Sequence, residues 1–214
     1  MLHLITSFYI IKKEDNSSIK RNNELLSALK HNMLNPYIKK IHLFVDDIDA
    51  LNTAINLNIQ NKLHVINVGK QPLYSDLFQY TFTNLKDEVC MISNSDIYLH
   101  TLDLDCMNRL ENNIFALSRY EHDFSCPIID NRWGSHDAFI FRSPLKPDIL
   151  QNLQHIQNVA GSDDNVVNTL VDNGYTLHNP CFQIKIVHLH ESNVRTYNQV
   201  KIAHGKYFIE QKVF

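Results

Sequence analysis

Glycine is scarce in this chain, five residues in 214, and the five do not cluster. A phosphate-cradling loop of the P-loop or dinucleotide-binding kind needs several glycines close together, because only glycine lets the backbone approach a pyrophosphate so closely. Both classes are excluded. No G-x-S-x-G or H-E-x-x-H occurs either, which removes two common hydrolase signatures. Cysteine is confined to positions 90, 106, 126 and 181 with no C-x-x-C pair. A thiolate zinc site or a thioredoxin-type motif is therefore not encoded. Cys90 lies in an apolar run and reads as a small buried hydrophobe. This usage suits a reducing compartment, and a cytoplasmic location is expected. Basic runs never exceed the pairs Lys12-Lys13 and Lys39-Lys40, and the net charge is −3, so electrostatically driven binding to nucleic acid is not expected. No apolar stretch reaches the length of a membrane span. Met1–Ile11 lacks a basic leader and a small-residue cleavage site, and reads as a first strand.

What is present is a globular composition, 44% hydrophobic and 20% charged. A chain of this length buries a core without disulfides or a structural metal. Strand-length apolar runs recur at Leu2–Ile11, Ile41–Val45, Leu63–Val68, Val89–Ser93, Ile114–Leu117, Ala138–Phe141 and Ile184–Leu189. Helical periodicity appears at Glu24–Met33, Tyr74–Leu85 and Asp164–Asn173, the last stopped by Gly174. The first half reads as alternating strands and helices, which predicts a mostly parallel sheet covered on both faces. The second half is mixed, with turns at Cys126-Pro127, Arg132–Gly134, Ser143-Pro144 and Asn179-Pro180. The expectation is one α/β domain over residues 1–214: a nucleotide-binding-like half, 1–100, continued by a mixed second half, 101–214. Such a domain can also serve as one module of a longer protein.

In open α/β sheets ligands bind beyond the carboxyl ends of the strands, so chemistry is sought there. Ser93-Asn94-Ser95-Asp96 follows a strand directly. If the segment stays extended, Asn94 and Asp96 point the same way and offer two oxygens to one hard cation; the alternative is a plain turn. His188 and His190 share a face of a late strand by the same period. Imidazole suits Mn²⁺, Fe or Zn better than Mg²⁺, against the ordinary fate of most of the 12 histidines as surface or hydrogen-bonded core groups. In Gly161-Ser162-Asp163-Asp164-Asn165, one aspartate is expected to cap the following helix, leaving the other for a substrate hydroxyl or general-base work. Trp133, the sole tryptophan, stands beside His136 and Asp137; it suits stacking on a sugar or capping a core, and the pair beside it suits an acceptor hydroxyl or a strand-entry turn. Arg119 offers a planar cation for phosphate, or pairs with Glu121.

The order of these motifs resembles the GT-A glycosyltransferases. It particularly resembles small glycosyltransferase-like domains of bacteria and large DNA viruses. Asn-Ser-Asp ends the first half, followed by Ser-Arg-Tyr-Glu, Gly-Ser-His-Asp-Ala-Phe-Ile-Phe, Gly-Ser-Asp-Asp-Asn and His-Leu-His. Arg21-Asn22-Asn23-Glu24-Leu25 through Ile41-His42-Leu43-Phe44 also fits. The resemblance implies a metal-dependent transferase moving a sugar from a nucleotide-diphosphate donor, UDP favoured, to a glycan or other hydroxyl acceptor. Asn94-Ser95-Asp96 takes the place of the D-x-D motif that holds Mn²⁺ (or Mg²⁺) and the diphosphate, with a neutral amide at its first position. His190 or His188 completes the metal site, His190 being nearer the strand's end. Thr6, Ser7 and Tyr9 meet the nucleotide, Arg119 assists the phosphates, and Trp133, His136, Asp163 and Asn165 meet the acceptor. Asp164 is the expected catalytic base, Asp137 the second choice. A nucleotidyltransferase is the nearest competitor, but Thr6–Lys13 has none of the glycine such enzymes carry after the first strand. A non-catalytic nucleotide-sugar or carbohydrate-binding module is the other.

Overall fold

The computed structural model of the chain describes residues 1–57, 61–110, 113–122, 135–192, 194 and 200–214. Strands β1 (Leu2–Phe8), β2 (Ile38–Val45), β3 (Leu63–Asn67) and β4 (Val89–Ser93) alternate with helices α1 (Asn16–Leu34), α2 (Ile48–Leu57) and α3 (Tyr74–Asn84). Then come β5 (Ile97–Thr101), α4 (Leu104–Met107), β6 (Asn113–Leu117), β7 (Arg119–Tyr120) and β8 (Ala138–Arg142). A 3-10 helix (Pro147–Asn152), α5 (Ser162–Asp172), β9 (Thr176–His178) and β10 (Lys185–His188) complete the elements.

The strands form a seven-stranded sheet ordered β3-β2-β1-β4-β8-β6-β9, with β8 antiparallel to both its neighbours and the other pairs parallel. Alternate side chains feed two cores, as the two-residue period of a strand requires. Leu4, Leu43, Met91 and Ile140 pack on one face with Leu25 and Leu29 of α1 and Ala50 and Ala54 of α2. Ile5, Phe44, Ile92 and Phe139 pack on the other with Leu77 and Phe78 of α3 and Val166 and Leu170 of α5. This is the single α/β domain with a mixed, mostly parallel sheet that the apolar runs predict.

A second, three-stranded sheet, β5-β10-β7, was not anticipated. Its β10 runs antiparallel to β5 and parallel to β7. It lies against α1, where Asn32 donates to the Ile97 carbonyl and accepts from the Leu99 amide, both at 2.9 Å. Helix α1 also starts earlier than its apolar periodicity suggests. The Asp15 side chain caps it by accepting from the Ser18 amide at 2.9 Å.

The order of the large sheet reverses around β1, whose successor β2 lies on one side and β4 on the other. Such a switch point leaves a crevice beyond the carboxyl ends of the two strands.

Candidate functional site

That crevice is a pocket. Its walls come from Ser7 and Tyr9 at the end of β1, Asn94, Ser95 and Asp96 after β4, and Arg21 of α1. Gln157 and Asp163 at the entry to α5, with Arg119, Asp137, His188 and His190, complete it. The lining is polar and brings together most of the residues singled out in the sequence.

One centre is built on Asp96. The chain does not stay extended after β4. The Ile97 amide bonds back to the Asn94 carbonyl at 3.2 Å, and this turn sends the chain into β5 of the other sheet. Asn94 and Asp96 therefore separate, contrary to the two-oxygen arrangement expected for an extended segment. The Asn94 side chain faces the Tyr74 hydroxyl and Asp137, at 3.4 and 3.3 Å. Asp96 turns to the histidines. Its Oδ2 lies 3.1 Å from His188 Nε2, 3.6 Å from His190 Nδ1 and 2.6 Å from Arg21 Nη2. The Asp96 backbone is also fixed, since the Leu189 amide donates to its carbonyl at 2.9 Å.

The electrostatics of this centre follow from burial opposed by partners. Burial alone would raise the Asp96 carboxyl, but the hydrogen bond and charge of His188, then Arg21, override it and hold Asp96 far below the usual carboxylate range. Burial would likewise strip His188 of its proton, yet hydrogen bonds to Asp96 and Glu121 outweigh it and raise its pKa to about 9. The His188 hydrogen bond, more than the opposing burial, brings Glu121 down to about 2. His190 goes the other way: burial lowers it, and Arg21 adds to the effect. Its Nε2 bonds the Val194 carbonyl at 3.1 Å, which leaves Nδ1 on the Asp96 side.

One carboxylate oxygen and two imidazole nitrogens thus lie within 4.8 Å of one another, the only such group among the described residues. Donors of this kind suit Mn²⁺, Fe or Zn, and the set fits a divalent cation with remaining positions open to a ligand's oxygens.

A second centre is built on Asp163. No side chain caps α5. The cap is Gly161, at φ +79°, and both aspartates stand in the first turn. The expectation that Asp163 or Asp164 is the cap is corrected. A glycine in the left-handed region does this work here, because a Cβ at position 161 would collide with the Ala203 carbonyl. Asp163 accepts from the Tyr74 hydroxyl at 3.0 Å. Burial, then the nearby Asp137 charge, raises its pKa well above the usual value. Asp137 is bound through both oxygens by Arg119 Nη1 at 3.0 Å, and Arg119 Nε also reaches Glu121 at 3.1 Å. Arg119 thus makes the expected pair with Glu121 and also lines the pocket.

Other expected residues fall elsewhere. Asp164 is not among the pocket-lining residues; Lys201 Nζ approaches it at 3.8 Å. Asn165 donates to the Asn152 carbonyl at 2.8 Å, because the helical turn carries it away from Asp163. Thr6 is buried and donates to the Ser93 carbonyl at 2.9 Å, whereas Ser7 and Tyr9 line the pocket, as alternation along a strand dictates. His136 is 2% exposed and does not line the pocket; burial lowers its pKa to about 4. Trp133 lies outside the described residues.

Three groups at the site escaped the sequence reading, two in the pocket lining and Tyr74 behind Asp163. Arg21 and Gln157 are buried polar side chains, and Tyr74 sits in a helix as an apparent core aromatic. Gln157 ties the wall together, accepting from Ser7 Oγ at 2.9 Å and donating to the Ser93 carbonyl at 3.0 Å. Only the position of Arg21 and Gln157 in the folded chain reveals them, because polar residues leave no mark in an apolar periodicity.

No protein-family profile matches the chain, and no curated protein matches it in sequence. Solved structures do match in shape. A mannosyltransferase from Pyrobaculum calidifontis, in complex with GDP-Man and Mn²⁺, superposes with a TM-score of 0.57 at 10% identity, over 91% of this chain and 58% of its own. The fold is GT-A-like. This GT-A-like chain thus spans well under two thirds of that enzyme's length. A putative nucleotide-diphospho-sugar transferase from Desulfovibrio desulfuricans matches with a TM-score of 0.52 at 10% identity, over 83% of this chain and 78% of its own. The inositol-1-phosphate CTP transferase from T. maritima matches at 0.51 and 9%, over 92% of each chain.

Proposed function

We propose that this chain is a glycosyltransferase that binds a nucleotide-diphospho-sugar, UDP-linked by preference, with Mn²⁺, and transfers the sugar to a hydroxyl of a glycan or similar acceptor. The observation that carries this reading is one pocket at the switch point holding both the Asp96–His188–His190 group and the Asp163 carboxyl. Asp96, His188 and His190 would hold the cation, whose chemistry is to offset negative charge on the leaving diphosphate. Arg119 adds a fixed cation to the same wall. Ser7 and Tyr9 stand where β1 delivers them, to meet the nucleotide, and residues 1–100 supply most of that side.

The proton of the acceptor hydroxyl needs a base if the anomeric centre inverts. Asp163 takes this role in place of Asp164, since it lines the pocket and Asp164 does not. Its raised proton affinity makes it the stronger base once ionised, and Tyr74 orients it. Asp137, bound by Arg119, serves to hold that cation. The three free cysteines described, 90, 106 and 181, are all buried, in keeping with work in a reducing cytoplasm. No described helix is long and apolar enough to cross a membrane.

Isothermal titration of UDP, GDP and their sugar conjugates, with Mn²⁺ and with EDTA, tests the proposal. Mn²⁺-dependent binding that prefers one nucleotide is expected; no nucleotide binding under either condition overturns it. Nucleotidyl transfer, the activity in the name of the T. maritima neighbour, releases pyrophosphate rather than a nucleoside diphosphate, so product analysis separates the two reactions.

A further inference from the structure

Arg21 stands on the same Asp96 oxygen that a divalent cation would take, 2.6 Å away. It is 5% exposed. It cannot lose its charge, because a guanidinium stays protonated in proteins. Nor is it free to swing aside. Its Nη1 is held by Glu24 Oε2 at 3.2 Å and by the Leu189 carbonyl at 3.0 Å. Glu24 in turn accepts from the Ser192 amide and hydroxyl at 2.7 and 2.8 Å. The helix, the turn after β4 and the segment after β10 are thus stitched around a fixed positive charge. A bare divalent ion entering at Asp96 meets that charge at short range, in a site where screening by water is weak. A nucleoside diphosphate brings several negative charges of its own, and Arg21 also lines the pocket that would receive them.

We propose that Arg21 is a resident counter-cation that suppresses binding of a bare divalent ion at Asp96 and makes it conditional on a nucleoside diphosphate. The inference rests on the transferase reading above and adds a role for a residue outside the ligand set. Metal and nucleotide are then coupled ligands, each raising the other's affinity by the same factor.

The test is titration of MnCl₂ into the intact chain, followed by calorimetry or by the loss of free Mn²⁺ signal in electron paramagnetic resonance, with and without saturating UDP or GDP. Wild type is expected to bind Mn²⁺ weakly alone and more tightly, by at least about thirtyfold, with the diphosphate; such a factor is within the usual range of coupling between sites. Arg21→Gln, neutral but still able to hydrogen-bond, is expected to raise affinity for Mn²⁺ alone about tenfold, equivalent to about 1.4 kcal/mol, and to shrink the nucleotide enhancement. Arg21→Lys keeps the charge and is expected to keep both the weak resting affinity and the enhancement, which also decides the matter if the glutamine variant fails to fold.

Tight Mn²⁺ binding by wild type without nucleotide overturns the inference. So does a folded Arg21→Gln that binds Mn²⁺ no better than wild type, which makes Arg21 a structural clamp, or an Arg21→Lys that gains resting affinity. In each of these cases the transferase reading stands if Mn²⁺ and nucleotide still bind. Absence of any nucleotide binding by wild type sinks that reading, and the inference with it.

Discussion

Asp96 turns one oxygen to an arginine and two histidines. Asp96→Asn keeps the shape and removes the charge. It is expected to lower Mn²⁺-dependent nucleotide binding by at least about tenfold, since the carboxylate is the one anionic ligand of the set; unchanged binding by calorimetry would remove Asp96 from the metal site. The two neighbouring aspartates of α5 separate by the same kind of logic. Asp163→Asn is expected to cut turnover by about 10²- to 10⁴-fold, the usual worth of a general base, with nucleotide affinity nearly unchanged. Its melting temperature should not fall, because the carboxyl it replaces is held away from its charged form by burial. Asp164→Asn, off the pocket, is expected to change stability by less than about 0.5 kcal/mol and turnover little. A large turnover loss confined to Asp164→Asn would return the base to that position. The sequence put the base at Asp164, with Asp137 second; the helical turn instead brings Asp163, one residue earlier, into the pocket lining, and that placement is why Asp163 is the residue proposed.

At the scale of elements, the glycine cap of α5 is the most demanding backbone position described. Gly161→Ala is expected to destabilise by about 2 kcal/mol or more, combining a left-handed backbone with a collision against the strap carrying Ala203. Gly174→Ala, also at positive φ but with only the Lys146 ammonium near its Cβ position at 3.8 Å, should cost about 1 kcal/mol. Equal losses in chemical denaturation would show that the strap does not matter. Strands β1, β2 and β4 were legible because both their faces are largely buried, so they read as near-continuous apolar runs. Gly174 was legible as the stop of α5 for the reason it works, its φ of +82° just past the Asn173 C-cap. The first turns of α1 were not. Their buried residues include Ser18 and Arg21, both polar, and Arg21 lines the pocket, so the apolar period begins only at Leu25. Strands β5 and β7 escaped for a related reason: they are short and belong to a small sheet whose exposed residues break the pattern.

For the whole molecule, histidines buried without charge are expected to cost stability as the solution turns acid. His42, packed among His3, His64 and Tyr80, is lowered by burial and then by its histidine neighbours from 6.5 to about 3. Burial lowers His136 to about 4. The unfolded chain binds these protons near pH 6.5 and the folded chain does not, so between those values the unfolded state holds more protons. Their contribution is fully present above pH 6.5 and falls away as pH drops toward 3. Each group adds a slope of up to about 1.4 kcal/mol per pH unit. Thermal melts between pH 7 and 4 should show this loss, and His42→Gln should flatten it; an identical slope in the variant would locate the acid sensitivity elsewhere.

The seam between the two sheets has a consequence for the order in which the molecule is made. The large sheet can pair β1, β2, β3 and β4 from the first half of the chain, but β5 has only β10 as a strand partner. A growing polypeptide therefore presents Asp96 long before the histidines that flank it exist, and Arg21, on a helix already synthesised, is the cation within reach. Amides of β5 should gain protection from hydrogen exchange together with β10, later than those of β4, during refolding of the whole chain. The nascent protein would then keep Asp96 occupied until β10 arrives to finish the pocket.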